Sequence, residues 1–201
     1  MQIRLTRSTA GYNSLVSHRS FRYAGITMYE ALAAAIPGNR SLLSQIGGTP
    51  VAIEKNRSQY YWPASVNAAK ATITRRFFET TSAANMASID SLEAAYSAKF
   101  KTEAEASKIQ NAVEYGRRVA TAIFSWSATD GGHQAYSRIL DPTYIAPVEE
   151  GLWVPTFLLL GRPYIHAGEI TAVLLLIWRH LHRRPLLWLI HYLLSLLFIQ
   201  W

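Results

Sequence analysis

The sequence predicts an all-α protein: a partial helical bundle followed by an apolar C-terminal helical tail. Three observations predict it. Apolar residues recur at spacings of three and four in several segments, which is one face of a helix. No segment alternates apolar and polar residues for long, as a half-buried strand would. Helix start and stop signals fall where the periodic segments end. Four or five amphipathic helices with short connections pack as a bundle, because each must bury its apolar stripe against a neighbour.

The elements follow in order. The first twenty residues hold Arg4, Arg7 and Arg19, no acid and no sustained apolar period. They lack the unbroken apolar run of about 7–15 residues of a secretory signal. They are expected to be a disordered, frayed or atypical leader. Residues 21–36 read as the first helix, with Tyr23, Ile26, Thr27, Glu30, Ala33 and Ala34 at helical positions and an Ala-rich end. Pro37-Gly38-Asn39 stops it. Residues 41–46 add one turn, Gly47-Gly48-Thr49-Pro50 breaks the chain, and a loop runs to about Tyr61.

Pro63 fits the first position of the next helix, where its missing N–H costs nothing. Val66, Ala69, Ile73 and Phe77 form its face, and Lys70, Arg75 and Arg76 fall largely elsewhere. Thr80-Thr81-Ser82 offers capping oxygens for a third helix, whose face is Met86, Ile89, Leu92, Tyr96 and Phe100. Thr102 with Glu105 fits a capping box for the helix carrying Ile109, Val113, Gly116, Ala120, Ile123 and Phe124. Asp130-Gly131-Gly132 ends that helix. The bundle is expected over residues 21–141, and residues 142–156, with three Pro, read as an extended surface loop.

After Thr156 the character changes. Residues 157–201 hold fourteen Leu and four of the six His. The chain of 201 residues is 50% hydrophobic and only 16% charged, against about 25% charged in ordinary globular chains. That excludes a disordered solvating protein. Zero Cys excludes a disulfide scaffold, a thiolate metal site and a cysteine nucleophile. The net charge of +7 divides unevenly. Residues 1–156 carry 16 Lys+Arg and 12 Asp+Glu, and residues 157–201 carry 4 and 1. The tail holds less than a quarter of the chain and nearly half the excess.

The tail suggests a membrane anchor. Residues 186–201 would make about 24 Å of helix, short of a hydrocarbon core of about 30 Å. With residues 170–178 they flank the basic cluster Arg179-His180-Leu181-His182-Arg183-Arg184. An interfacial hairpin is the membrane arrangement such a tail allows.

Candidate chemistry is sparse. His180 and His182 share a face only on a strand, with Glu169 the nearest carboxylate, so solvated basic histidines are expected rather than a metal site. Gly131-Gly132-His133 after Asp130 fits a helix C-cap better than a phosphate turn. Glu149-Glu150 is the adjacent acid pair, in the Pro-rich loop. Glu30 sits among apolar neighbours and, if buried, needs a partner, with Arg22 and Arg75 as candidates. Arg75-Arg76 and Arg117-Arg118 are expected on solvated faces, and no nucleic-acid partner is expected. Asn39-Arg40-Ser41 and Asn56-Arg57-Ser58 match the glycosylation sequon by chance. No phosphate loop, dinucleotide fingerprint or nucleophile elbow occurs.

Several blocks, in order, resemble one family. They are Arg22-Tyr23-Ala24-Gly25 through Met28-Tyr29-Glu30-Ala31, Pro37-Gly38-Asn39-Arg40-Ser41-Leu42, Tyr61-Trp62-Pro63-Ala64 and Thr81-Ser82-Ala83-Ala84-Asn85. Phe124-Ser125-Trp126-Ser127, Thr129-Asp130-Gly131-Gly132-His133 and Gly151-Leu152-Trp153-Val154-Pro155-Thr156 complete the run. Together they are similar to the N-terminal portion of bacterial vanadium-dependent haloperoxidase-like proteins, within the type 2 phosphatidic acid phosphatase (PAP2) superfamily. The resemblance covers about residues 21–156. It implies an all-α bundle and, in complete members, an oxyanion site for phosphate or vanadate built from basic side chains, a helix N-terminus and two His.

The motifs that carry that site are absent. Lys55 is followed at the required distance by Trp62-Pro63 instead of Arg-Pro, Gly132-His133 lacks the preceding Pro-Ser, and Ser137-Arg138 leads to Tyr144 instead of His. The resemblance therefore implies no catalytic, cofactor-binding or metal-binding residue and no cofactor in this chain. It implies a truncated product, inactive alone, in which residues 157–201 are an out-of-frame extension. A missing catalytic half or a second copy is the expected partner. Family members are often exported. The alternative is a small non-enzymatic membrane-associated helical protein anchored by residues 170–201.

Overall fold

The computed structural model describes residues 1–138. The expectations for the Pro-rich loop at 142–156 and the tail at 157–201 therefore lie outside the described residues, as do Glu149, Glu150, Glu169, His180 and His182. Among the described residues all regular structure is helical: α1 (Gln2–Ser8), α2 (Ser14–Ala33), α3 (Trp62–Phe77), α4 (Ala83–Phe100) and α5 (Ala106–Ser127), with short 3-10 turns at Leu43–Gln45, Arg57–Gln59 and Ala135–Ser137. The all-α expectation holds for this part of the chain.

The first twenty residues correct the expectation of a disordered leader. They form α1 and the first two turns of α2. Asn13 caps α2 by accepting from the Val16 N–H at 3.0 Å. Leu5 is fully buried, and Val16, Arg19 and Ser20 are buried with it. Thr9 donates to the Thr81 hydroxyl at 2.9 Å, and Asn85 donates to the Ser8 hydroxyl at 2.8 Å, so α1 is pinned beside the start of α4. The reason for the misreading is the shortness of α1: seven residues give two turns and no period to recognise.

The helix α3 is the centre of the bundle and packs against α2, α4 and α5. Its predicted face, Val66, Ala69, Ile73 and Phe77, is buried. Its other sides are buried too, because Ala64, Ser65, Ala68 and Ala71 are small enough for neighbours to approach. Pro63 stands in its first turn, one residue later than expected, since Trp62 begins the helix. The contact with α5 is tightest at Gly116, where a Cβ would lie 2.1 Å from the Ser65 carbonyl oxygen. No residue with a side chain fits there.

The predicted α4 face is half right. Ile89 and Phe100 are buried, while Met86, Leu92 and Tyr96 are half-buried. Ser82 caps it through the Asn85 N–H, as its hydroxyl suggested. The capping box before α5 does not form. Glu105 is the N-cap residue but makes no side-chain cap bond, and the Thr102 hydroxyl donates back to the Lys99 carbonyl at 2.7 Å. Thr102 belongs to the turn that closes α4, so it cannot also open α5.

Candidate functional site

The densest polar cluster grows from the buried stripe of α2. Val16, Arg19 and Tyr23 lie three and four residues apart, so one face carries all three. That face is buried, and Arg19 is only 7% exposed. A buried guanidinium needs a paired carboxylate. Asp130, in the turn after α5, supplies it: Arg19 Nε donates to Oδ2 at 2.8 Å and Nη2 to Oδ1 at 3.1 Å. Arg19 Nη2 also donates to the Ser127 carbonyl at 2.5 Å. The Tyr23 hydroxyl and the Gly132 N–H donate to the same carboxylate at 2.9 and 2.8 Å. Burial raises the Tyr23 phenol, and the Asp130 charge raises it further, so it remains a donor. The guanidinium also lies over the rings of Tyr23 and Phe77, 5.1 Å from each centroid.

A second layer surrounds this pair. Arg76 lies over the Phe124 ring at 5.4 Å, and His133 meets the same ring edge-on at 5.8 Å. Tyr12 stacks on Phe78 at 4.6 Å and on Tyr136 at 5.8 Å. Tyr12, Arg19, Arg76, Glu79, Phe124 and His133 border a cavity of about 20 Å³. That is room for about one water-sized group. Its charges are mostly spent: Arg19 on Asp130, and Glu79 as acceptor for the Tyr136 hydroxyl at 2.5 Å. His133 lies in a turn beyond α5; the helix stops at Ser127 with Ala128 as its C-cap, so Asp130-Gly131-Gly132 follows the cap instead of forming it.

Glu30 is buried, 5% exposed, and its partners are neither Arg22 nor Arg75. Arg22 is exposed, and Arg75 pairs with Asp90 and Glu93 on α4. Glu30 instead accepts from the Ser41 hydroxyl at 2.8 Å and from the Leu42 and Leu43 N–H groups at 2.5 and 3.2 Å. Burial pushes its carboxyl above the usual range, and these three donors pull it back. It serves as an internal cap for the turn at Leu43–Gln45. Pro37 and Gly38 make this possible by folding the chain back so that Ser41 meets α2.

Lys70 departs furthest from expectation. Its spacing puts it off the apolar face of α3, yet it is 2% exposed and donates to Gln2 Oε1 at 2.6 Å. Burial lowers its ammonium to about 8. The helix α1 covers it, and a segment not read as structured could not be foreseen as cover.

The remaining basic residues are tied to acids or lie open. Arg118 pairs with Glu54, and Lys55 donates to Asn111 at 2.6 Å. With Tyr60, Glu114 and Arg117 they border an open groove of about 380 Å³ of mixed charge. Arg117 and Arg76 are exposed. Among the described residues there is no group of three or more His, Asp or Glu side chains that could hold a metal. No helix among them is long and apolar enough to cross a membrane.

The sequence reading missed the buried Arg19–Asp130 pair and, separately, the buried Lys70. The signal for Arg19 was present: it interrupts an apolar stripe at the spacing of a core position. No family model matches the chain, and no curated protein or solved structure matches it either.

Proposed function

We propose that residues 21–138 are a structural platform similar to the N-terminal portion of vanadium haloperoxidase-like proteins of the PAP2 superfamily, with no oxyanion chemistry of their own. One observation carries the reading: the residues of the resembling blocks are engaged in holding the fold together. Glu30 anchors Ser41 and Leu42, Tyr61 and Trp62 open α3, Ser82 caps α4, and Asp130 with Gly132 holds Arg19. An oxyanion site needs cations left free to converge on a ligand. Here Arg19, Arg75 and Arg118 already face carboxylates.

The test is a phosphatase and bromoperoxidase assay of the purified full chain, with and without vanadate. Rates at background are expected in both. Vanadate-dependent turnover about tenfold above background would overturn the reading. The second reading, a non-enzymatic protein held at a membrane by residues 170–201, rests on the apolar runs and basic cluster there. Fractionation separates the two: full chain that stays soluble without detergent removes the anchor.

A further inference from the structure

A polar atom in a protein interior takes a partner, and one that finds none in the protein points to a bound water or ion. The Tyr12 hydroxyl is buried and has no hydrogen-bond partner among the described residues. Leaving such a group unbonded costs more than an ordinary hydrogen bond gains. The ring is held in place, because it stacks on Phe78 at 4.6 Å and on Tyr136 at 5.8 Å. Burial raises the Tyr12 phenol, and Tyr136 and Glu79 raise it further. The hydroxyl therefore keeps its proton, and what it lacks is an acceptor.

We propose that the cavity of about 20 Å³ beside Tyr12 binds one water molecule, which accepts from the Tyr12 hydroxyl and donates to the Glu79 carboxylate. Three features select this ligand. The first is size. A cavity needs roughly 10–15 Å³ to hold one water, and this one has no room for a second. The second is polarity. An apolar void of this size stays dry, whereas a buried water takes about two to four polar partners. Tyr12, Arg19, Glu79, His133 and Gln134 all border the cavity.

The third is charge. Glu79 accepts from the Tyr136 hydroxyl through Oε1, which leaves Oε2 for another donor. Water both accepts and donates, so it serves the phenol and the carboxylate together. An anion could accept from Tyr12 but would be repelled by Glu79. The buried cation at the cavity, Arg19, is already matched by Asp130 and draws no second anion. The site joins separate parts of the chain. Tyr12 lies in the turn between α1 and α2, Glu79 just beyond α3, and Tyr136 in the last 3-10 turn. The first and last of these touch, since a Cβ on Gly11 would lie 2.3 Å from the Tyr136 carbonyl oxygen. The inference is independent of the proposed function, because it rests on an orphaned hydroxyl and not on the resemblance.

Magnetic relaxation dispersion of the water oxygen counts long-lived bound waters in the purified full chain. Tyr12→Phe keeps both ring stacks and removes only the hydroxyl, and it should lose one long-lived water. Glu79→Ala acts from the other side of the site and should lose the same water. Glu79→Gln keeps an acceptor oxygen and should retain it. An equal count in the unaltered chain and in either Tyr12→Phe or Glu79→Ala would overturn the proposal. So would chloride line broadening that Tyr12→Phe abolishes, because it would place an anion in the cavity instead.

Discussion

The helices α3 and α4 have apolar residues at the same spacing, yet the molecule treats them differently. In α3 the residues Ala64–Ala71, Ile73, Thr74 and Phe77 are all buried, including Lys70 and Asn67. In α4 only Asn85, Ile89 and Phe100 are. Periodicity tells which residues share a face; it does not tell how many faces are covered. Coverage depends on neighbours contributed from elsewhere in the chain. The α3 helix has them on every side: α2, α4 and α5 pack on it, and α1 contributes Gln2 to Lys70. The α4 helix has α3 on one side and α1 on a flank.

The contrast can be broken most severely where α3 meets α2 and the end of α5. Arg19 rests on Phe77, the last residue of α3. Asp130→Ala leaves that buried guanidinium without its carboxylate and should cost about 3–5 kcal/mol in urea unfolding. A loss below about 1 kcal/mol would mean that solvent reaches Arg19. Next come matched truncations. Ile73→Ala in α3 should cost about 2–5 kcal/mol. Leu92→Ala in α4, half-buried, should cost under about half as much. Equal costs would show that α4 is covered as fully as α3.

Gly116→Ala tests the closest approach of α3 and α5. The added methyl collides with the Ser65 backbone, which cannot rotate away as a side chain can. The expected loss is about 1–3 kcal/mol, although alanine favours helix by about 1 kcal/mol at an open site. A stabilised variant would place the helices further apart.

Lys70 gives a smaller effect with a definite sign. Burial lowers its ammonium from 10.5 to about 8. The unfolded chain therefore binds more protons than the folded one between those values, and stability rises with pH across that window. The slope is at most about 1.4 kcal/mol per pH unit. Lys70→Met should flatten the difference in urea midpoint between pH 8 and pH 10. An unchanged slope would assign it to another group. The smallest effect belongs to the outer side of α4, where Ala98→Ser should shift stability by no more than about 0.5 kcal/mol.

What was legible in the sequence follows from the same contrast. The four longer helices were readable because each runs several turns; α3 and α4 begin where Tyr61-Trp62-Pro63 and Ser82 signal a start, while α2 and α5 stop at Ala33 and Ser127, a few residues before Pro37-Gly38 and Asp130-Gly131-Gly132. Glu30 was recognisable as an acid needing a partner, but its partners are two backbone N–H groups and a hydroxyl. Backbone donors have no residue type to search for. Arg19, Asp130 and Lys70 were hidden for a different reason. Each is understood only once α1 and the start of α2 are known to be folded, and α1 is too short to announce itself.

The Arg19–Asp130 pair spans 111 positions of sequence. That separation has a consequence for the order of assembly. A chain growing from its N-terminus forms α2 early, but Arg19 meets no carboxylate until the turn after α5 has been made. Until then the α2 stripe carries a cation that resists desolvation. Early collapse of α2 onto α3 is thereby discouraged, and the bundle closes late, as a contact between distant segments. A nascent chain stalled before Asp130 should accordingly be cut readily by protease around Arg19, and one extended past it should not.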